Sequence, residues 1–287
     1  MIKENVKILM QKLNFPIEAV NELLKVLDKL LTSDDFKKMI ADYNNRDLEY
    51  SLMLEKCKQI AISLDVDTFV AYMTLIIILF EQLHNKYIAS GLDDIIFYNT
   101  ASDLRYKLEE CFLVHGKYGT FVPQWYKGFF EMRIFALGRL QFEINHTWFE
   151  CSVNGKFIPK GQKVLSVHIP RTGTKLDHND VIRSYEMAKD FFKSEFSDDI
   201  IFICNSWLLY PWNRTVLKDG SNLAQFYDDF TIVSSGEYNN YSEVWRLFDC
   251  LYNGNPNDLP NDTSLRRAYI ERIKNNQPIG HGTGVII

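Results

Sequence analysis

Apolar residues in the first part of the chain recur every three or four positions. Val6, Ile8, Leu9 and Leu13, followed by Ile17, Val20, Leu23, Leu24, Leu27, Leu30 and Leu31, lay an apolar stripe along each of two consecutive helices. Asn14-Phe15-Pro16 separates them, and Pro16 suits a first helical turn because its missing N–H has no partner to lose there. Ser33-Asp34-Asp35 offers an N-cap and first-turn acids to a third helix. The pattern predicts further helical segments at 46–63, 66–88, 101–114 and 123–136. The most apolar stretch, 70–80, has 11 residues between Asp67 and Glu81, short of the ~20 that cross a bilayer, and reads as a buried helix.

Near Gly138 the period changes. Arg139 to Ile144 alternates polar and apolar residues, 148–153 continues in the same manner, and Asn154-Gly155 marks a tight turn, so a β-hairpin or meander starts here. The β-rich runs 163–169 (KVLSVHI) and 199–207 (DIIFICNSW) flank a helix-patterned segment at 180–192. Strand, helix and strand in that order predict a βαβ crossover whose strands are parallel and buried on both faces. Helical segments at 223–230, 245–251 and 265–273, a strand at 231–234 and a loop feeding a terminal strand at 279–287 complete a mixed α/β half. The expectation is an α+β chain, an all-helical part over 1–135 and a mixed-sheet part over 136–287, with no long polar linker between them.

Composition narrows the function classes. Of 287 residues 46% are hydrophobic, enough to bury a sizeable core, so a disordered chain or a disulfide-stapled miniature is excluded. Lys and Arg number 32 against 37 Asp and Glu, a balance that lacks the basic footprint of a nucleic-acid binder. The five cysteines contain no C-x-x-C pair, which argues for reduced thiols and against a disulfide framework or a zinc knuckle. The first residues alternate charged and apolar side chains at helical spacing, unlike a secretory signal. These readings point to a cytoplasmic protein with a small-molecule substrate, no nucleic-acid or membrane partner and no metal.

Candidate chemistry gathers around Ser166 to Asp177. A buried strand running through a glycine-containing loop into a helix is an arrangement in which backbone N–H groups and the helix dipole receive an anion, with Arg171 and Lys175 as supporting cations. Asp177 and Asp180 compete for the same donors, so an ordinary capped turn is the alternative. His168 near the strand end is a candidate general base, and Glu143 on the first strand is a candidate carboxylate base. Cys204 and Ser206, sharing a face of the second strand, are candidates for nucleophile or proton donor, with a structural thiol as the alternative for Cys204. His281 stands among Gly280, Gly282 and Gly284, where the backbone can approach a ligand closely. The motifs of zinc peptidases, common serine hydrolases, P-loops and dinucleotide-binding folds are all missing.

Several of these stretches occur in a recognisable order: Gly138-Arg139-Leu140-Gln141-Phe142-Glu143, Val167-His168-Ile169-Pro170, Cys204-Asn205-Ser206-Trp207-Leu208-Leu209, then Ser221-Asn222 with Phe226. In them the chain resembles a bacterial family described as acyltransferase domain-containing, which joins a helical N-acyltransferase N-terminal domain to a GNAT-like C-terminal domain. The resemblance implies that 1–135 is the former and 136–287 the latter. It also implies that acetyl-CoA or a longer acyl-CoA is the co-substrate. The loop and helix after the 163–169 strand would then hold the pyrophosphate, and the 199–207 strand would splay to admit the pantetheine arm. Residues implied in cofactor binding are Ile169, Arg171, Thr172, Gly173, Thr174, Lys175, Trp207 and Asn222; the catalytic candidates remain those read from the strand faces, Glu143, His168, Cys204 and Ser206. Mainstream GNAT enzymes carry R/Q-x-x-G-x-G/A in the loop, whereas Arg171-Thr172-Gly173-Thr174-Lys175 supplies one glycine at a different spacing. The expected function is transfer of an acyl group to an amine or other small nucleophile; the alternative is a non-catalytic small-ligand-binding protein on a degenerate transferase fold.

Overall fold

The computed structural model describes residues 2–287. Within it the chain divides into two compact units, one through Phe135 and one over Ala136–Ile287. The first is helical: α1 (Ile2–Lys12), α2 (Ile17–Leu30), α3 (Asp34–Asn44), α4 (Tyr50–Ser63), α5 (Thr68–Ala89), α6 (Asp94–Ala101), α7 (Asp103–His115) and the short α8 (Lys127–Phe130). Ser33 caps α3 by accepting from the Phe36 N–H, and the Asp67 carboxylate caps α5 by accepting from the Phe69 and Val70 N–H groups.

Helix α5 is the axis of this unit, with α1, α2, α4, α6 and α7 packed on it. Its length and composition alone would let it cross a membrane, yet 61% of its most apolar window is buried inside the fold. An all-round apolar helix needs such a surround, because every face must leave water. Phe80 on α5 meets the rings of Tyr126, Phe129 and Phe130 at 5.8, 5.8 and 5.3 Å, which closes the last short helices onto it. Residues 134–136, read from the sequence as the end of a helix, instead begin strand β1 (Ile134–Leu137). Four consecutive buried apolar residues carry no period that separates a helix from a strand.

The second unit is built on a six-stranded mixed sheet in the order β1-β2-β5-β6-β8-β7, formed with β2 (Leu140–His146), β5 (Lys163–His168), β6 (Phe202–Ser206), β7 (Thr231–Tyr238) and β8 (Ile279–Ile286). A separate hairpin, β3 (Cys151–Val153) and β4 (Lys156–Ile158), turns at Asn154 and Gly155, both at positive φ. Between β5 and β6 runs α9 (His178–Phe192), and the two strands pair in parallel, as the βαβ pattern requires. The remaining helices are α10 (Pro211–Val216), α11 (Asn222–Asp228), α12 (Trp245–Phe248) and α13 (Ser264–Lys274).

The two faces of the sheet differ. Phe142, Val167 and Phe202 lie toward α9, where the rings of Phe142, Tyr185 and Phe202 meet edge-on or tilted at 5.0–6.1 Å. On the other face the hairpin residues Val153 and Ile158 cover Val164, Ile203 and Val285. The segment 279–287, read as a loop feeding a strand, is strand from Ile279. Its glycines are fitted to the chain itself: a Cβ on Gly282 would lie 2.0 Å from the Leu209 carbonyl oxygen, and one on Gly284 would lie 2.6 Å from Phe230. Those glycines let the turn Trp207–Leu209 cross the sheet closely, a structural need that accounts for them without a ligand beside His281.

Candidate active site

The face away from α9 carries a polar row. Strands β2 and β5 are antiparallel with Gln141 opposite His168 and Glu143 opposite Ser166. Directly and diagonally paired residues share a face, so Glu143 and His168 converge although 25 positions apart. The Glu143 carboxylate oxygen Oε2 lies 3.1 Å from His168 Nε2, with the two side chains 13% and 29% exposed. When ionised, Glu143 accepts from Nε2–H, which leaves the imidazole lone pair on Nδ1. Asn205 and Thr283 continue the row on β6 and β8, joined by a 2.8 Å bond from Asn205 Nδ2 to Thr283 Oγ1.

Beside this pair the sheet opens. The β5–β6 ladder joins Leu165 to Phe202 and Ser166 to Ile203, and both strands then continue beyond it to His168 and Ser206. The Leu165 N–H donates to the Ile201 carbonyl across this edge. By the two-residue period, the Ile169 N–H and the Val167 C=O face the same edge. The N–H and C=O of Asn205 face them from β6. These groups lie past the last bridge between the strands among the described residues.

The loop 170–177 leaves from that opening. Arg139 braces it from below: its Nη1 donates to the Pro170 carbonyl at 3.0 Å and its Nε to the Lys175 carbonyl at 3.4 Å. The Arg139 N–H in turn donates to Ser184 Oγ on α9, beside Gly138, whose positive φ suits a residue without Cβ. Thr172 and Thr174 close a turn around Gly173 with their hydroxyls 2.7 Å apart. Arg171 is engaged, its Nε and Nη2 lying 3.0 and 2.9 Å from one oxygen of Asp249. Lys175 is exposed. Asp177 caps α9 by accepting from the Asn179 N–H, so the capped turn weighed against an anion site is present. The start of α9 is also pinned by His178, whose Nε2 lies 2.8 Å from Asp229 Oδ1; burial raises the Asp229 carboxyl pKa, and His178 partly offsets this.

The sequence candidates therefore separate. Glu143 and His168 come together, and Ile169, Arg171, Thr172, Gly173, Thr174 and Lys175 lie on the segment leaving β5. Cys204 does not join them: one residue on from Ile203, it points to the α9 face, is fully buried, and burial pushes its thiol up to about 12. A thiol held protonated is a poor nucleophile, which favours the structural reading of Cys204 over the catalytic one. Ser206 shares its face at the strand end, where Oγ accepts from the Leu208 N–H and keeps its own proton to donate. Trp207 packs instead against the cluster around Val244, Phe248 and Tyr269, with the Tyr269 ring 6.4 Å away, and Asn222 is the first residue of α11. The sequence reading missed two residues, Arg139 as a loop brace and Asp249 as the partner of Arg171. A Gly-Arg at a strand start was a weak signal for the first; no motif marked the second.

Residues 134–286 match the family described as GNAT-like C-terminal domain, and residues 4–132 match the one described as N-acyltransferase N-terminal domain. The chain belongs to the acyltransferase family that joins these two domains. No curated protein matches it. Among solved structures, an acyltransferase in complex with decanoyl-CoA and teicoplanin superimposes with a TM-score of 0.72 at 19% identity, over 97% of this chain and 86% of that one. An acyltransferase variant in complex with octanoyl-CoA gives 0.73 at 19%, over 99% and 87%. Another acyltransferase complex with decanoyl-CoA gives 0.64 at 18%, over 98% of each chain. At such identities the likeness speaks for the fold.

Proposed function

We propose that the protein transfers an acyl group from acyl-CoA to an amine or other small nucleophile, in the cytoplasm, by direct attack in a ternary complex. The observation that carries this reading is the parting of β5 and β6 beside the Glu143–His168 pair. A pantetheine arm laid in the opening would bond to the Ile169 and Asn205 backbone groups as a missing rung of the sheet. The loop 170–175 would meet the phosphates. Relatives of the same fold that hold decanoyl-CoA, octanoyl-CoA and a small-molecule acceptor support it.

The steps follow from the row of side chains. The imidazole of His168, held by Glu143, takes a proton from the acceptor amine as its nitrogen attacks the thioester carbonyl. A backbone N–H at the opening donates to the developing oxyanion. The C–S bond then breaks, and the His168 imidazolium returns the proton to the leaving thiolate, since Ser206 faces the other side of the sheet. Binding both substrates in one site supplies the rest of the acceleration by fixing their approach.

Thermal unfolding with a set of acyl-CoAs tests the reading. An acyl-CoA at about 100 times its dissociation constant should add ~2.7 kcal/mol to stability, and unrelated nucleotides at equal concentration should add none. No shift with any CoA thioester would refute it. A shift without release of free thiol, across a panel of amines, would favour the non-catalytic ligand-binding alternative, which the single loop glycine suggests.

A further inference from the structure

The helix α12 ends at Asp249, a non-glycine residue in the left-handed region with φ 59°. An aspartate tolerates this conformation better than most residues, yet it still costs energy, and the segment gains something from a carboxylate at that point. Asp249 Oδ1 accepts from Nε of Arg171, on the loop after β5, with Nη2 of the same guanidinium 2.9 Å from that oxygen, and Oδ2 accepts from Nη2 of Arg266 at 2.7 Å, on α13. Arg266 is fixed in turn by the Leu247 carbonyl at 2.8 Å and by Asp262 at 2.9 Å. The carboxylate therefore links an anchored arginine to the one on the loop. All of these side chains are at most about one-third exposed except Asp262.

A guanidinium has five N–H donors in a rigid plane. Asp249 takes the Nε–Nη2 edge of Arg171, which fixes that plane and leaves the Nη1 edge turned away from the carboxylate. An arginine held this way is a pre-oriented phosphate ligand; an unheld one must lose side-chain entropy on binding. We propose that Asp249 is a positioning residue for the phosphates of acyl-CoA, acting through Arg171 and braced by Arg266. The proposal rests on the acyl-CoA reading and deepens it: it assigns phosphate selectivity to a relay from α12, replacing the glycines that the loop lacks. No charge is transferred; the relay acts by geometry alone.

Two thioesters with the same acyl group separate this role from a structural one: acyl-CoA, which carries the phosphates, and the acyl-pantetheine, which lacks them. The readout is the ratio of kcat/KM for the two. Asp249→Asn keeps a residue tolerant of the left-handed backbone and removes the charge. It should lower the ratio about tenfold, the equivalent of ~1.4 kcal/mol, through KM for acyl-CoA. Arg171→Lys, which keeps charge but loses the side-on edge, should lower it similarly, and the double variant should fall no further. The proposal is overturned if Asp249→Asn leaves the ratio unchanged, if both thioesters lose equally, or if the two substitutions add. A wild-type chain that turns over neither thioester would refute the acyl-CoA reading itself, whereas turnover of both with an unmoved ratio refutes only the relay.

Discussion

Replacing His168 with alanine is expected to lower kcat by about 10²- to 10⁴-fold while leaving KM for acyl-CoA nearly unchanged. The imidazole lies on the polar face with its Nε2 on Glu143, so its loss would remove the proposed proton acceptor, whereas the loop proposed to meet the phosphates is held by Arg139 from elsewhere. Glu143→Gln should produce a smaller fall of about 10²-fold, because an amide can hold the ring in place yet can donate to Nε2 and so favour the wrong tautomer. The double variant should be little worse than His168→Ala, since the pair acts as one unit. Steady-state thiol release from acyl-CoA with a saturating amine reads all three. Full turnover in His168→Ala would remove this residue from the mechanism.

The second large effect concerns stability. Gly282→Ala places a Cβ 2.0 Å from the Leu209 carbonyl oxygen and 2.6 Å from its carbon, both backbone atoms that cannot swing aside. The strand or the crossing turn must shift, and the unfolding free energy from denaturant titration is expected to fall by about 3 kcal/mol or more, with a lower midpoint. Gly173→Ala is the matched control: its Cβ meets nothing within 4 Å, and only the positive φ of 76° opposes it. That strain costs about 1–2 kcal/mol. Equal midpoints for the two variants would show that β8 does not depend on the close crossing.

Why some of this was legible in the sequence and some was not has a physical basis. Helical stripes, the Ser33 cap and the β5–α9–β6 crossover are local patterns, and each is realised close to where the periodicity places it. Which strand face meets which is a long-range fact. Glu143 and His168 could be picked as bases one at a time, but their convergence depends on the antiparallel register of β2 and β5. Likewise Cys204 and Ser206 fall opposite His168 because Ile203, not Cys204, pairs with Ser166; a shift of one residue would have reversed the faces. The glycines of β8 looked like a loop because the turn that needs them lies some 70 positions earlier. Asp249 had no signal, since its worth comes from two arginines on distant elements.

The most direct test of the opening between β5 and β6 is amide hydrogen exchange, read residue by residue by NMR, with no acceptor amine present. Without ligand, the Ile169 and Asn205 amides should exchange much faster than those of Leu165 and Ile203, which lie within the β5–β6 ladder. Saturating acyl-CoA should protect both, together with amides of the loop 170–175. Protection at Ile169 and Asn205 before ligand is added, or exchange there that acyl-CoA leaves untouched, would contradict the placing of the thioester arm between these strands.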